Sequence, residues 1–149
     1  MENSPVIAQY LEIKARHEDS LLFFRIGDFY ELFFTDAETV SDALGLVLTK
    51  RGNVPMCGVP FHAGLSYIER LVWMGHRVAL CEQMEAAENG LMARKVIRVY
   101  TPGTVLNDDG KNHFVMGISV ADTGFKVAYC DISTGEFYGA KLADFTQLT

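Results

Sequence analysis

The run Leu21-Leu22-Phe23-Phe24-Arg25-Ile26-Gly27-Asp28-Phe29-Tyr30-Glu31-Leu32-Phe33-Phe34 holds the residue types that point most directly to chemistry. An apolar stretch enters a tight turn at Gly27-Asp28, and an aromatic-rich segment carrying one carboxylate follows. A glycine turn can lift the residues after it away from a core. Lifted, Phe29 and Glu31 set an apolar wedge beside a hydrogen-bond acceptor, a pair suited to probing a stacked base and its edge. Unlifted, they form an ordinary strand–helix corner.

Other routes to chemistry are thin. There is no Gly-x-x-x-x-Gly-Lys-Ser/Thr loop and no serine nucleophile elbow. Asp122-Thr123-Gly124 matches the short signature of aspartic proteases, yet it falls between two strand candidates, where it is common turn composition. Asp122 and Asp131 flank one strand, but a two-metal nuclease needs more carboxylates than these. His62, close to a helix start, suits a capping role. Cys57, Cys81 and Cys130 are odd in number, far apart and set among apolar neighbours, which reads as small buried thiols and neither a disulfide framework nor a zinc site.

The elements that must position Phe29 and Glu31 follow from periodicity. Pro5 to Arg16 reads as an amphipathic helix with Val6, Tyr10, Leu11 and Ile13 near one face. Leu21 to Ile26 reads as a buried strand. Asp28 has the look of a helix N-cap with Glu31 completing a capping box, and Phe29, Phe33, Ala37, Val40 and Leu44 then make a helical core stripe ended by Gly45. Leu46 to Thr49 is a short strand leading to a turn at Lys50-Arg51-Gly52-Asn53. Val54 to Val59 is strand-like, with Pro55 and Pro60 suggesting a sheet edge. His62 to Met74 is a second amphipathic helix stopped by Gly75, Arg77 to Glu82 a buried strand, Met84 to Leu91 a polar, mobile stretch, and Arg94 to Tyr100 a strand. Helices alternating with short strands predict an α/β domain ending near Gly103. A linker over 104–111 and a three-stranded meander from 112 onward, with strands at Phe114 to Val120, Phe125 to Asp131 and Phe137 to Leu142, complete the chain.

The chain has 149 residues, half of them hydrophobic, so it can bury a real core. No apolar run approaches the ~20 residues of a membrane span, and Met1-Glu2-Asn3-Ser4-Pro5 lacks the basic start of a signal peptide, so a soluble, cytoplasmic protein is expected. A net charge of −6 argues against a bulk electrostatic nucleic-acid binder. Contact with a polyanion would have to be focal, through Lys50-Arg51, His76-Arg77, or Arg94-Lys95 with Arg98.

Five blocks come in an order that carries a family resemblance: Gly27-Asp28-Phe29-Tyr30-Glu31-Leu32-Phe33, Leu48-Thr49-Lys50-Arg51-Gly52, Pro55-Met56-Cys57-Gly58-Val59-Pro60-Phe61-His62-Ala63, Gly75-His76-Arg77-Val78-Ala79-Leu80-Cys81-Glu82-Gln83 and Arg98-Val99-Tyr100-Thr101-Pro102-Gly103-Thr104. Together they resemble the N-terminal region of the MutS family of bacterial DNA mismatch repair proteins. The segment between Gly52 and Pro55 is shorter than in many relatives, and Glu85 to Ala93, read as a surface loop, matches poorly. The resemblance implies a mismatch-recognition domain over 1–103, a mixed β-sheet surrounded by helices. It implies that 112–149 are the first strands of a connector domain with a ribonuclease-H-like fold. It places the family's Phe-x-Glu motif on Phe29 and Glu31, the phenylalanine stacking on a mispaired or unpaired base from the minor groove and the glutamate hydrogen-bonding that base. Arg51 lines up with a basic residue near the DNA, and Lys50 is carried with it. The implied partners are duplex DNA containing a mismatch or a small insertion/deletion loop, and missing domains of the same protein. The family's lever, clamp and ATPase domains, with ATP and Mg, belong to the full-length protein. This chain is expected to be a monomeric piece of it, with no cofactor and no catalysis of its own. The alternative from a different class is a protein–protein interaction module, docking through its sheet edge or meander without touching DNA.

Overall fold

The computed structural model describes residues 4–88, 91–102, 113–132, 134–144 and 146. It divides into two units, Met1–Thr104 and Val105–Thr149. The linker expected over 104–111 lies outside the described residues.

Helix α1 (Pro5–Lys14) starts where Ser4 accepts a hydrogen bond from the Ile7 amide at 3.4 Å and Pro5 presets the first turn. It buries Ile7, Tyr10 and Ile13, while Leu11, expected on that face, is exposed. Strands β1 (Leu21–Ile26) and β2 (Phe29–Phe33) follow, then α2 (Phe34–Leu44), β3 (Thr49–Arg51), β4 (Val54–Pro60), a 3₁₀ turn (Phe61–Ala63), α3 (Gly64–Trp73), β5 (Val78–Glu88) and β6 (Leu91–Tyr100). The strands form one mixed sheet in the order β3-β4-β2-β1-β5-β6, in which β1 and β5 are parallel and the other pairs antiparallel.

Three expectations are corrected here. The helix proposed to begin at Asp28 begins at Phe34, and Phe29 to Phe33 is a strand held on both sides: Ile26 pairs with Phe29 on β1, and Pro60 pairs with Phe29 on β4. Aromatic side chains with two strand neighbours overrode a helical spacing that belongs to α2 only from Ala37 onward. There is therefore no N-cap at Asp28 and no capping box at Glu31. Second, Glu85 to Ala93, expected as a surface loop, is strand where it is described, because β5 continues to Glu88 and β6 starts at Leu91. Third, Leu46 to Leu48 lie outside any strand, and β3 starts at Thr49. Pro55 and Pro60 lie one strand in from the edge, but β3 pairs only with Val54 to Met56, so the outer side of β4 is a rim beyond that point.

The two sheet faces are covered differently. Tyr10 of α1 meets Phe24 and Phe33 edge-on, with ring centroids 5.4 and 5.0 Å away, inside a cluster with Ile7, Leu22, Ala79 and Cys81. Across the sheet, α3 comes so close that a Cβ on Gly64 would stand 2.5 Å from the Tyr30 ring. Helix α2 packs along β4 and β2, burying Val40 and Leu44. Asp36 of α2 ties three elements: it accepts from the Tyr10 hydroxyl and the Leu22 amide, both at 2.9 Å, and pairs with Lys14 at 3.0 Å.

The second unit is an antiparallel sheet of β7 (Phe114–Val120), β8 (Phe125–Asp131) and β9 (Phe137–Leu142), in the order β7-β8-β9. Gly124 supplies a positive φ of 81° in the first connection.

Candidate nucleic-acid interface

The β1–β2 hairpin turns through Gly27 and Asp28 alone, since Ile26 pairs directly with Phe29. Gly27 has φ 57° and Asp28 does not share the positive sign, which is the pattern of a II′ hairpin. The tip is tied down. The Gly27 amide donates to Gln83 Oε1 at 3.0 Å, the Phe61 amide donates to the Asp28 carbonyl at 2.9 Å, and Arg25 Nε donates to the Gly27 carbonyl. Arg25 is itself stacked over Phe61, 3.8 Å from the ring centroid, and pairs with Glu82. The Tyr30 hydroxyl also bonds Glu82, and burial followed by that bond pushes the phenol up to about 12.

Strand geometry then sorts the motif. Side chains two apart on a strand share a face, about 7 Å from one another. Phe29, Glu31 and Phe33 therefore form one row and Tyr30 and Leu32 the opposite one. Burial is graded along the row: Phe33 is enclosed beneath α1, Glu31 is half-buried, and Phe29 is 48% exposed at the rim. The turn does lift Phe29, and it does so on a strand, where Glu31 follows on the same side. On a helix the two would diverge by roughly 200°.

Arg51 reaches this row from the edge strand β3, two strands away. Its Nη1 donates to Glu31 Oε2 at 2.8 Å, with the Arg51 side chain 40% exposed and that of Glu31 17%. Gly58 is the cross-strand partner of Glu31, and a Cβ there would come 3.6 Å from the Glu31 Cγ and 3.3 Å from the Tyr30 carbonyl, so glycine leaves space at this step. Lys50, the other basic residue expected near DNA, lies on β3 and is exposed.

Arg94 is the component that sequence reasoning treated only as a local basic group. Its guanidinium sits 4.9 Å from the Phe24 ring centroid and donates to the Arg25 carbonyl and Gln9 Oε1, both at 2.7 Å. Burial lowers its pKa, Cys81 and Glu31 oppose that shift, and Arg51 adds to it. Arg51 is bonded to Glu31, and Arg94, over the ring of Phe24, the cross-strand partner of Glu31, feels the charge of both. An aromatic at the rim, an acceptor on the same face and a guanidinium bonded to that acceptor can engage a flat, hydrogen-bonding ligand bounded by negative charge.

The family model for MutS domain I matches residues 4–109. The chain is 48% identical over 152 aligned residues to the DNA mismatch repair protein MutS of Alkaliphilus metalliredigens, covering 95% of this chain and 17% of the relative. It is 45% identical to the MutS of Staphylococcus haemolyticus with the same coverage, and 45% identical to that of Bacillus subtilis over 89% of this chain. The chain thus spans about a sixth of the length of these curated relatives.

Proposed function

The chain belongs to the MutS family, through domain I, and on that premise we propose that it recognises mispaired or unpaired bases in duplex DNA, with Phe29 entering the minor groove and Glu31 hydrogen-bonding the exposed base. The observation that carries the reading is the shared strand face: Phe29 exposed at the rim and Glu31 next to it in the same row.

The physics favours damaged over intact pairing. Wedging an apolar side chain into a base step costs a few kcal/mol in unstacking, and an aromatic stacked on a base returns about 1–3 kcal/mol. A mismatch has already lost pairing and stacking, so the deformation is cheaper there. Phe29 discriminates by how readily the duplex yields, without reading sequence. Glu31 accepts a hydrogen bond from the displaced base, and where no such donor is offered its acceptor is left desolvated and unpaired, which penalises entry. Lys50, with Arg51 beside Glu31, brings basic side chains to the DNA-facing edge of a chain whose net charge is −6. Residues 112–149 are read as the first strands of the connector domain.

A duplex with 2-aminopurine beside a single unpaired thymine tests the wedge. Adding the intact protein should raise 2-aminopurine fluorescence as the step unstacks, and Phe29→Ala should abolish the rise while salt-sensitive binding persists. An equal rise with Phe29→Ala contradicts the reading.

A further inference from the structure

Arg51 and Glu31 are twenty residues apart in sequence and two strands apart in the sheet, yet their side chains meet at 2.8 Å. The bond is made to one carboxylate oxygen, Oε2. Among the described residues, no hydrogen bond is made to Oε1. Arg94 is fixed by its bonds to Gln9, Arg25 and Met92, whereas Arg51 has Glu31 as its ion-pair partner among the described residues and stands 40% exposed on a three-residue edge strand. Arg94 is built into the core wall. Arg51 is an arm from the edge.

We infer that Arg51 is a positioning residue for Glu31: by holding Oε2 it orients the carboxylate so that Oε1 faces the base contacted beside Phe29, and it brings the acid to the groove as a neutralised pair. This rests on the reading of Phe29 and Glu31 as the base-probing pair. A bare carboxylate is repelled by phosphate on both sides of a groove, and a freely rotating one loses rotamer entropy when it binds. The Arg51 bond reduces both penalties before DNA arrives. It differs from a phosphate contact, which strengthens binding to every duplex alike. Arg51 acts through Glu31, so its removal lowers discrimination only while the acid is present.

The test is a double-mutant cycle on the intact protein, measuring affinity for a duplex with one unpaired thymine and for its fully paired counterpart at several salt concentrations. The wild type is compared with Arg51→Ala, Glu31→Gln and the double variant. Arg51→Ala should lower the ratio of the two affinities about tenfold in the wild-type background, and by less than about threefold in the Glu31→Gln background. Arg51→Lys, which keeps one donor and the charge, should recover part of the ratio. If Arg51→Ala weakens both duplexes equally and lowers the salt slope by about one, it is a phosphate contact and the inference falls. Equal loss of the ratio in both backgrounds also overturns it. A ratio unchanged by Glu31→Gln alone overturns the underlying reading, and the inference with it.

Discussion

Phe29 and Phe33 are the same residue type on the same sheet face, four positions apart, in opposite surroundings: one stands at the rim and the other is fully enclosed against Tyr10. Truncating them should therefore separate binding from stability. Phe33→Ala is expected to cost about 3–5 kcal/mol of folding free energy, as large core deletions do, and Phe29→Ala no more than about 0.5 kcal/mol. Urea unfolding of both variants checks this, and comparable losses would place Phe29 in the core after all. Phe29 and Glu31 stand out in the run around Gly27-Asp28, but their shared face does not, because it needs a strand where the spacing suggests a helix. Nor does the Glu31–Arg51 bond, because it depends on sheet register across β4 and not on any local spacing. Arg94 was hidden for the same reason, its contacts with Gln9 lying 85 positions away.

At the scale of elements, the hairpin turn was legible and the element after it was not. Gly27-Asp28 between apolar runs is turn chemistry. The spacing Phe29, Phe33, Ala37, Val40, Leu44 mimicked a helix because its last three members are helical and its first two happen to fall in phase. What decides the matter is non-local: β4 pairs with β2 from Phe29 to Phe33, and β1 pairs with it from Phe29 to Glu31. The turn needs its glycine, since φ 57° disfavours a β-carbon, and Gly27→Val should cost about 1–2 kcal/mol in unfolding measurements. Gly64 matters through packing instead. A methyl there would overlap the Tyr30 ring at 2.5 Å, so Gly64→Ala should cost about 1–3 kcal/mol and disturb the Tyr30–Glu82 bond, visible as a changed Tyr30 signal in side-chain NMR. Strands β7 to β9 were readable throughout because the turn residues that bound them, Asp122-Thr123-Gly124 and Gly135-Glu136, are local signals.

For the molecule as a whole, Asp36 shows what sequence patterning cannot carry: an acid on an amphipathic helix looks like surface, yet it is buried against Tyr10, Lys14 and the Leu22 amide. Asp36→Ala strands those groups and should cost about 3–5 kcal/mol, which thermal unfolding would register as a large drop in Tm. Burial also raises the thiols, Cys57 to about 11 and Cys81 to about 12, against an ordinary value of 9.0. A raised folded-state pKa means the folded protein keeps protons that the unfolded chain releases. That contribution to stability is complete below about pH 8.5, falls as pH rises toward 11 and 12, and levels off beyond. Urea midpoints should accordingly decline between pH 8.5 and 11, and the decline should shrink in a Cys57→Ala, Cys81→Ala variant compared with its own value at pH 7.

The role of Phe29 as a probe of weakened base pairing is tested most directly by affinity for two duplexes. The intact protein and its Phe29→Ala variant are titrated against a duplex with one unpaired thymine and against the fully paired duplex, at low salt, with folding of both proteins verified. The account predicts tighter binding of the wild type to the unpaired site and a ratio near one for Phe29→Ala. A preference for the unpaired site that survives in Phe29→Ala would contradict it.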